Sequence, residues 1–445
     1  MSRIPNTLLQ QLLQEAEWGP RELARALGKV AVEQKLGLTC HHTTVQRWLN
    51  GTQPRPPFPV LLLECLSRRL GRRVTVREAG LTRAPGTLVD PLWEADPVRK
   101  LTHLVHAEVD PNQRALLVAD AVALTTAVLQ PPPTPIRIAG AVGGRSHCLL
   151  AARLHSMADV FAPAADQHGG RHLRPALASY LIHNVVPRLR GLDGAAVCTD
   201  MLSASAQLTL LLGGMCADAG HDAAAQHYHQ IAARLAADAG DRTTLAIALR
   251  TMAAHAHNLG HHAPAVLHLA EQADEHARLS AQAVRAFTRS QLAVLLAHHD
   301  RRAALAALSQ SEQLHAAAGA EPVPGPFSSY PAAALQYQRA QVLLSLGDHK
   351  GALAALTASL RLRSVLERLP GALTRAQLAE THLRLGHLDQ ALHHWGLFLE
   401  DYPALTSARA DKCLTVIRQT LRPHQRYRGA SDVLDRVREL TGRPC

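Results

Sequence analysis

Aromatic residues are scarce: Phe, Trp and Tyr together make up 3% of the chain. Sheets lean on aromatic and β-branched side chains, so the shortage points to a core of Leu, Ala and Val between helices. Strand-like alternation is almost absent, and only residues 135–139 and 73–76 read as extended. Lysine is nearly missing. Lys29, Lys35, Lys100, Lys350 and Lys412 stand alone, and arginine carries the rest of the positive charge. The seven cysteines are scattered, odd in number and without a CxxC pair, which argues against a disulfide framework and a zinc ribbon. Residues 1–14 lack the apolar run of a secretory signal. The most apolar stretch, 115–129, contains Asp120 and is too short to cross a bilayer, so it reads as a buried helix and no membrane partner is expected.

Catalytic signatures are missing too. There is no P-loop, GxSxG, HExxH or dinucleotide fingerprint. The glycine-rich stretch 140–144 has neither a parent strand nor a following Lys-Ser/Thr, and reads as a helix-entry turn. No enzyme and no cofactor are expected. The 27 histidines invite a metal reading. Adjacent pairs such as His261-His262 and His298-His299 point about 100° apart on a helix and seldom chelate together. His257 and His261 have i,i+4 spacing, but Gly260 interrupts the helix between them, and no acidic or thiol ligand recurs beside them. No metal site is expected.

What the chain does have is positive charge and helical periodicity. Its formal charge is +11, which favours an anionic partner. Residues 1–90 hold thirteen basic residues against seven acidic ones. Three regions follow: a basic helical unit at 1–83, a linker with one helix at 84–138, and helix after helix from 139 to 445. The linker helix, 112–130, ends at a stiff proline run, 131–135. In the third region an apolar helix, a short turn and a second apolar helix recur five times. The turn residues are Gly220, Gly260, His299, Gly347 and Gly386, and an alanine follows each by five: Ala225, Ala265, Ala304, Ala352 and Ala391. A single hairpin cannot bury its apolar face, so neighbours must stack. The form resembles tetratricopeptide repeats, best at Gly386, Ala391, Trp395 and Pro403. The resemblance implies that this part of an all-α fold is an α-solenoid of tetratricopeptide-like helical hairpins.

In the first region, Pro20 and Glu22 open a helix with apolar spacing through Leu27. A second short helix spans 41–50 and stops at Asn50-Gly51. Val45, Trp48 and Leu49 share one face; His42, Thr43, Gln46, Arg47 and Asn50 lie on the others. Arg can pair with guanine, Gln with adenine, and Thr can touch a thymine methyl, so this is a surface suited to a major groove. The stretch resembles the lambda-repressor-like (XRE-type) helix-turn-helix family through Glu22-Leu23-Ala24, Thr44-Val45-Gln46-Arg47-Trp48 and Asn50-Gly51. The resemblance implies that 20–27 begins the positioning helix and 41–50 is the recognition helix. His42, Thr43 and Arg47 would then face bases, with His41, Thr44 and Asn50 nearer phosphate. Residues 28–38 are roughly ten more than the family's tight turn holds, and the first helix is expected to run into them. Arg21, Arg25, Arg55 and Arg68 are candidates for phosphate contact. Gly169-Gly170, Arg174 and Tyr180-Leu181, ahead of 187–191, add a likeness to bacterial regulators that couple such a domain to repeats.

Setting the repeats by their turns puts Gln207, Arg250, His257, Asn258, Arg289, Tyr337, Gln341, Glu380 and Arg384 on the concave face of the solenoid. That set reads as a groove for a peptide or protein effector, with Asn258 addressing a peptide unit and Arg250 and Arg289 a carboxylate. The C-terminal basic run, with Arg418, Arg422, Arg426 and Arg428, reads as a capping helix. The expected protein is a sequence-specific regulator of transcription that binds double-stranded DNA as a homodimer in the cytoplasm, on the nucleoid when bound. The alternative is a repeat scaffold whose N-terminal unit contacts protein instead.

Overall fold

The computed structural model describes residues 5–33, 38–55, 57–70, 74, 78–81, 96–110, 145–190, 199–318 and 330–441. The expected helix at 112–130, the proline run and the glycine-rich stretch 140–144 lie outside these residues, as does most of 73–76. Among the described residues every regular element is helical. None of these helices is long and apolar enough to cross a membrane.

Four helices build the N-terminal unit: α1 (Thr7–Glu15), α2 (Pro20–Glu33), α3 (His42–Leu49) and α4 (Phe58–Leu70). Pro20 opens α2, where a missing N–H costs nothing, and the Glu22 carboxylate accepts from the Gly19 N–H at 3.0 Å. The helix runs through Gly28 to Glu33, as the long stretch before α3 requires. Leu9, Leu13, Leu23, Leu27, Val45, Trp48, Leu61 and Leu66 form one core, and the Trp48 ring meets Phe58 with centroids 5.4 Å apart. Asn6 locks the unit together. Its Oδ1 caps α1 at Leu9, its backbone N–H donates to Leu49 O at 2.8 Å, and its Nδ2 donates to Ala79 O and Gly80 O.

A second core begins with α5 (Pro97–Val109), α6 (Arg145–His168) and α7 (Gly170–Tyr180). A π-helical turn, Leu181–Val185, and the short α8 (Val186–Arg190) follow. Pro187 has no N–H to continue a regular ladder there.

Then come five consecutive hairpins. They are α9/α10 (Thr199–Asp218, Asp222–Asp238), α11/α12 (Arg242–Asn258, Pro264–His276) and α13/α14 (Gln282–Leu296, Arg301–Ala317), then α15/α16 (Ala332–Ser345, His349–Leu362) and α17/α18 (Arg368–Arg384, Leu388–Asp401). Two more helices, α19 (Ala408–Leu421) and α20 (Arg428–Thr441), pack over the last pair through Leu414, Ile417, Leu434 and Val437, so the expected basic cap is two helices.

The hairpin turns lie where the sequence puts them. At Gly220, Gly260, Gly347 and Gly386 the glycine has φ between 79° and 90°. In each case its N–H and the next one turn back to the last carbonyls of the first helix, as His221 N does to Cys216 O at 2.8 Å. The His299 turn has no left-handed residue. There Asp300 caps α14 by accepting from Arg302 N and Ala303 N. Ala225, Ala304, Ala352 and Ala391 are fully buried between paired helices. Ala265 is only half-buried, because α12 starts four residues after its glycine instead of two, and Val266 takes the inner position.

The row of hairpins closes on itself. Helix α6 packs on α9 and also on α17. Beyond α18 the chain returns to the start of α7: Thr406 N donates to His168 O at 2.7 Å, and Arg171 N to Thr406 O at 3.2 Å.

Candidate functional site: an exposed helix face and a charged interior

Two places concentrate polar chemistry. The first is α3. Extended His41 precedes it without a side-chain capping bond, and its C-terminus closes at Gly51, where Gly51 N donates to Trp48 O and Thr52 N to Arg47 O. Those ends fix an eight-residue helix whose buried seam is Val45, Trp48 and Leu49. His41, His42, Thr43, Gln46, Arg47 and Asn50 are exposed around it, and Thr44 is half-buried. Arg21 on α2 and Arg55 after α3 are exposed, and neither pairs with an acidic side chain among the described residues. Two other arginines are engaged. Arg25 reaches Glu22 at 3.0 Å, a solvated pair easily exchanged. Arg68 holds the buried carboxylate of Glu64 at 2.6 Å, so its first task is structural.

The second place is where the row of hairpins closes. Asp218, at the end of α9, is buried and accepts from three donors: Gly170 N at 2.7 Å, Ser407 Oγ at 2.6 Å and Arg409 Nε at 2.8 Å. Gly169 has φ +93°, and a Cβ there would stand 2.6 Å from Thr406 O; one on Gly170 would stand 2.6 Å from Met215 Cα. The glycine pair singled out in the sequence is thus what lets two chain segments touch. Arg174, in the same motif, is buried against Glu108 of α5, with Nε 2.7 Å from the carboxylate, and also contacts His221. A cavity of about 280 Å³ lies beside this junction, lined in part by Asp166, Leu210, Met215, Asp218, Thr251 and Arg409. Burial there, helped by Glu367, raises the Asp166 carboxyl to about 6.

The nine residues expected to line one groove are spread among different tasks. Arg289 is held by Asp274 at 2.6 Å and by Gln310, and Glu380 pairs with Arg384 at 3.8 Å. The Arg250 guanidinium lies 3.9 Å from the centre of the Phe287 ring, and burial lowers its pKa to about 10. Gln207 bonds His155 at 3.0 Å and lies near Thr244. Tyr337 is raised above the ordinary phenol range by burial, in the field of Arg409, Cys413 and Arg363. Gln341 keeps a buried Nε2 without a partner, Asn258 is exposed at the end of α11, and His257 meets His262 and His298. None of the nine lines the cavity.

Glu108, Asp218, Thr406 and Ser407 were missed in the sequence. Ser407 and Asp218 are 189 residues apart, and Thr406 and His168 are 238 apart, so no local spacing signals either pairing.

Residues 9–82 match the family described as the SP15 N-terminal domain. The match covers the unit built by α1–α4 and stops short of α5. No curated protein matches the chain.

Proposed function

We propose that the chain is a sequence-specific DNA-binding regulator of transcription whose helical repeats carry dimerisation, effector sensing or both. One observation carries the reading: α3 exposes His42, Thr43, Gln46 and Arg47 on a helix anchored by Trp48 and Leu49. Arg and Gln at such positions read base edges, while Arg21 and Arg55, exposed on flanking segments, supply the salt-sensitive phosphate attraction. The family match supports treating α1–α4 as one recurrent module. A regulator also needs a second surface for partners, and the hairpins are the larger body available for it.

The test is capture of genomic fragments by the full-length protein, followed by competition against random duplex at several salt concentrations. A recurrent sequence bound well above random DNA, with log affinity falling linearly in log salt, supports the reading. Equal retention of all duplexes, or none, would replace it by the second reading, a repeat scaffold whose N-terminal unit contacts protein. The repeats themselves favour that second reading, since stacked hairpins offer broad binding surfaces.

A further inference from the structure

Three histidines from three different segments meet between the second and third hairpins. His257 is in the last turn of α11, His262 is in the loop before α12, and His298 follows α13. Each offers a ring nitrogen within 4.8 Å of those of the other two. The His262 and His298 rings are stacked 3.9 Å apart, with His257 at 5.0 and 5.3 Å from them. His257 Nδ1 and His262 Nδ1 are buried without a hydrogen-bond partner. Unpartnered buried polar atoms are uncommon in proteins, and two of them belong to this cluster.

From this geometry we infer that His257, His262 and His298 bind one zinc-class transition-metal ion. Three imidazoles without a carboxylate suit Zn²⁺, Ni²⁺ or Cu²⁺ and not Mg²⁺ or Ca²⁺, which demand oxygen. Zn–N bonds of about 2.0–2.1 Å in a tetrahedron set nitrogens about 3.3 Å apart. Capture therefore draws the rings inward and turns the stacked pair edge-on, a side-chain motion open to the exposed His298. Three protein ligands leave one position for water or for a ligand from a partner.

The loop explains how this hairpin comes to hold the cluster, which has no counterpart among the described residues. Helix α12 begins four residues after Gly260, whereas α10, α16 and α18 begin two after their glycines. The extra residues bring His262 out of the helix and toward His257. A bound ion would tie hairpin α11/α12 to hairpin α13/α14. A second set of rings, His382, His387, His393 and His394, also touch, with centroids 5.2–5.8 Å apart. They bring no three nitrogens together by the same measure, so they serve as the control.

The experiment uses the full chain stripped with a chelator. Zn²⁺ is titrated by calorimetry, and Co²⁺ is added for its visible absorption. We expect one Zn²⁺ per chain at this site and a Co²⁺ band of low-coordinate intensity. His298→Ala and His262→Ala should each weaken Zn²⁺ binding roughly 10-fold or more, while His394→Ala binds as the wild type does. His298 is exposed, so its loss leaves folding intact, checked by circular dichroism. The assignment is overturned if the wild type takes up no Zn²⁺, if His298→Ala and His262→Ala bind as tightly as wild type, or if His394→Ala loses binding equally. None of these readouts involves DNA, so the result stands whether or not the chain is a regulator.

Discussion

The N-terminal unit and the closed row of hairpins use charge in opposite ways. Around α3, Arg47, Arg21 and Arg55 stand in water, and among the described residues the core beneath is apolar apart from Glu64 and Ser67. In the hairpin region charge is turned inward: Glu108 holds Arg174, Asp218 gathers three donors, and Arg250 lies over Phe287. Exposed charge costs little and stays available to a partner. Buried charge must be matched inside the fold, and it then fixes one geometry. One region therefore leaves its charge in solvent, and the other uses it to hold a particular closure.

That contrast can be broken from either side. The largest effect is expected at Glu108. Glu108→Ala leaves Arg174 buried and unmatched, a loss of about 3–5 kcal/mol. Calorimetry should show the hairpin transition moving down while the N-terminal one stays. Replacing both partners, Glu108→Leu with Arg174→Met, should recover most of the loss, because the penalty is the unmatched charge. A hairpin transition indifferent to Glu108→Ala would remove the buried pair from the account. Trp48→Ala is the mirror experiment. Truncating a side chain 4% exposed costs about 3–5 kcal/mol and should fall on the N-terminal transition alone.

Smaller effects sharpen the comparison. Gly170→Ala pushes a methyl against the α9 backbone and should cost about 1–3 kcal/mol by overpacking. Thermal melting reads it, and unchanged melting would mean that the two segments do not touch. Arg47→Ala should leave both melting transitions in place and weaken the preferred duplex by about 1–3 kcal/mol. Full discrimination in that variant would take Arg47 out of the readout surface.

The smallest expected effect is of pH. Full burial, then His255, holds His229 well below the ordinary imidazole range. His394 is lowered to about 4 by burial, His382, His393 and Arg375. The unfolded chain takes up these protons near pH 6.5, so stability is complete above that value and falls as acid is added. Asp166, raised to about 6 by burial and by Glu367 and Asp218 against Arg409 and Arg363, works the other way below pH 6. Between pH 7 and 6 the histidines act first. The hairpin melting temperature should drop over that unit, and a rise would contradict the buried neutral His229.

Much of the architecture was legible because its signals are local. A glycine five residues before an alanine, repeated along the chain, marks a hairpin whose cap and helix contact lie within one turn of each other. Val45, Trp48 and Leu49 mark the seam of α3 for the same reason: helical spacing alone puts them on one face. Ala265 shows where this fails. The interval from glycine to alanine was kept, but two extra loop residues shifted the helix start, and counting along the sequence cannot see a shifted start. The groove residues meet a related limit. Spacing can place Arg289 or Arg250 on a helix, but it cannot show that Asp274 or Phe287 occupies the space beside it.

The helices, the hairpin turns, the apolar seams and the outward polar face of α3 follow from local sequence, since each depends on residues within a few positions. The tertiary structure alone decided that the hairpins close, that Asp218 meets Ser407, and that His257, His262 and His298 converge. Apart from His257 and His262, which share one hairpin turn, those pairings join segments from tens to hundreds of residues apart. Their geometry is set by the summed angles and loop lengths of all the hairpins between them, and no short stretch of sequence contains that sum.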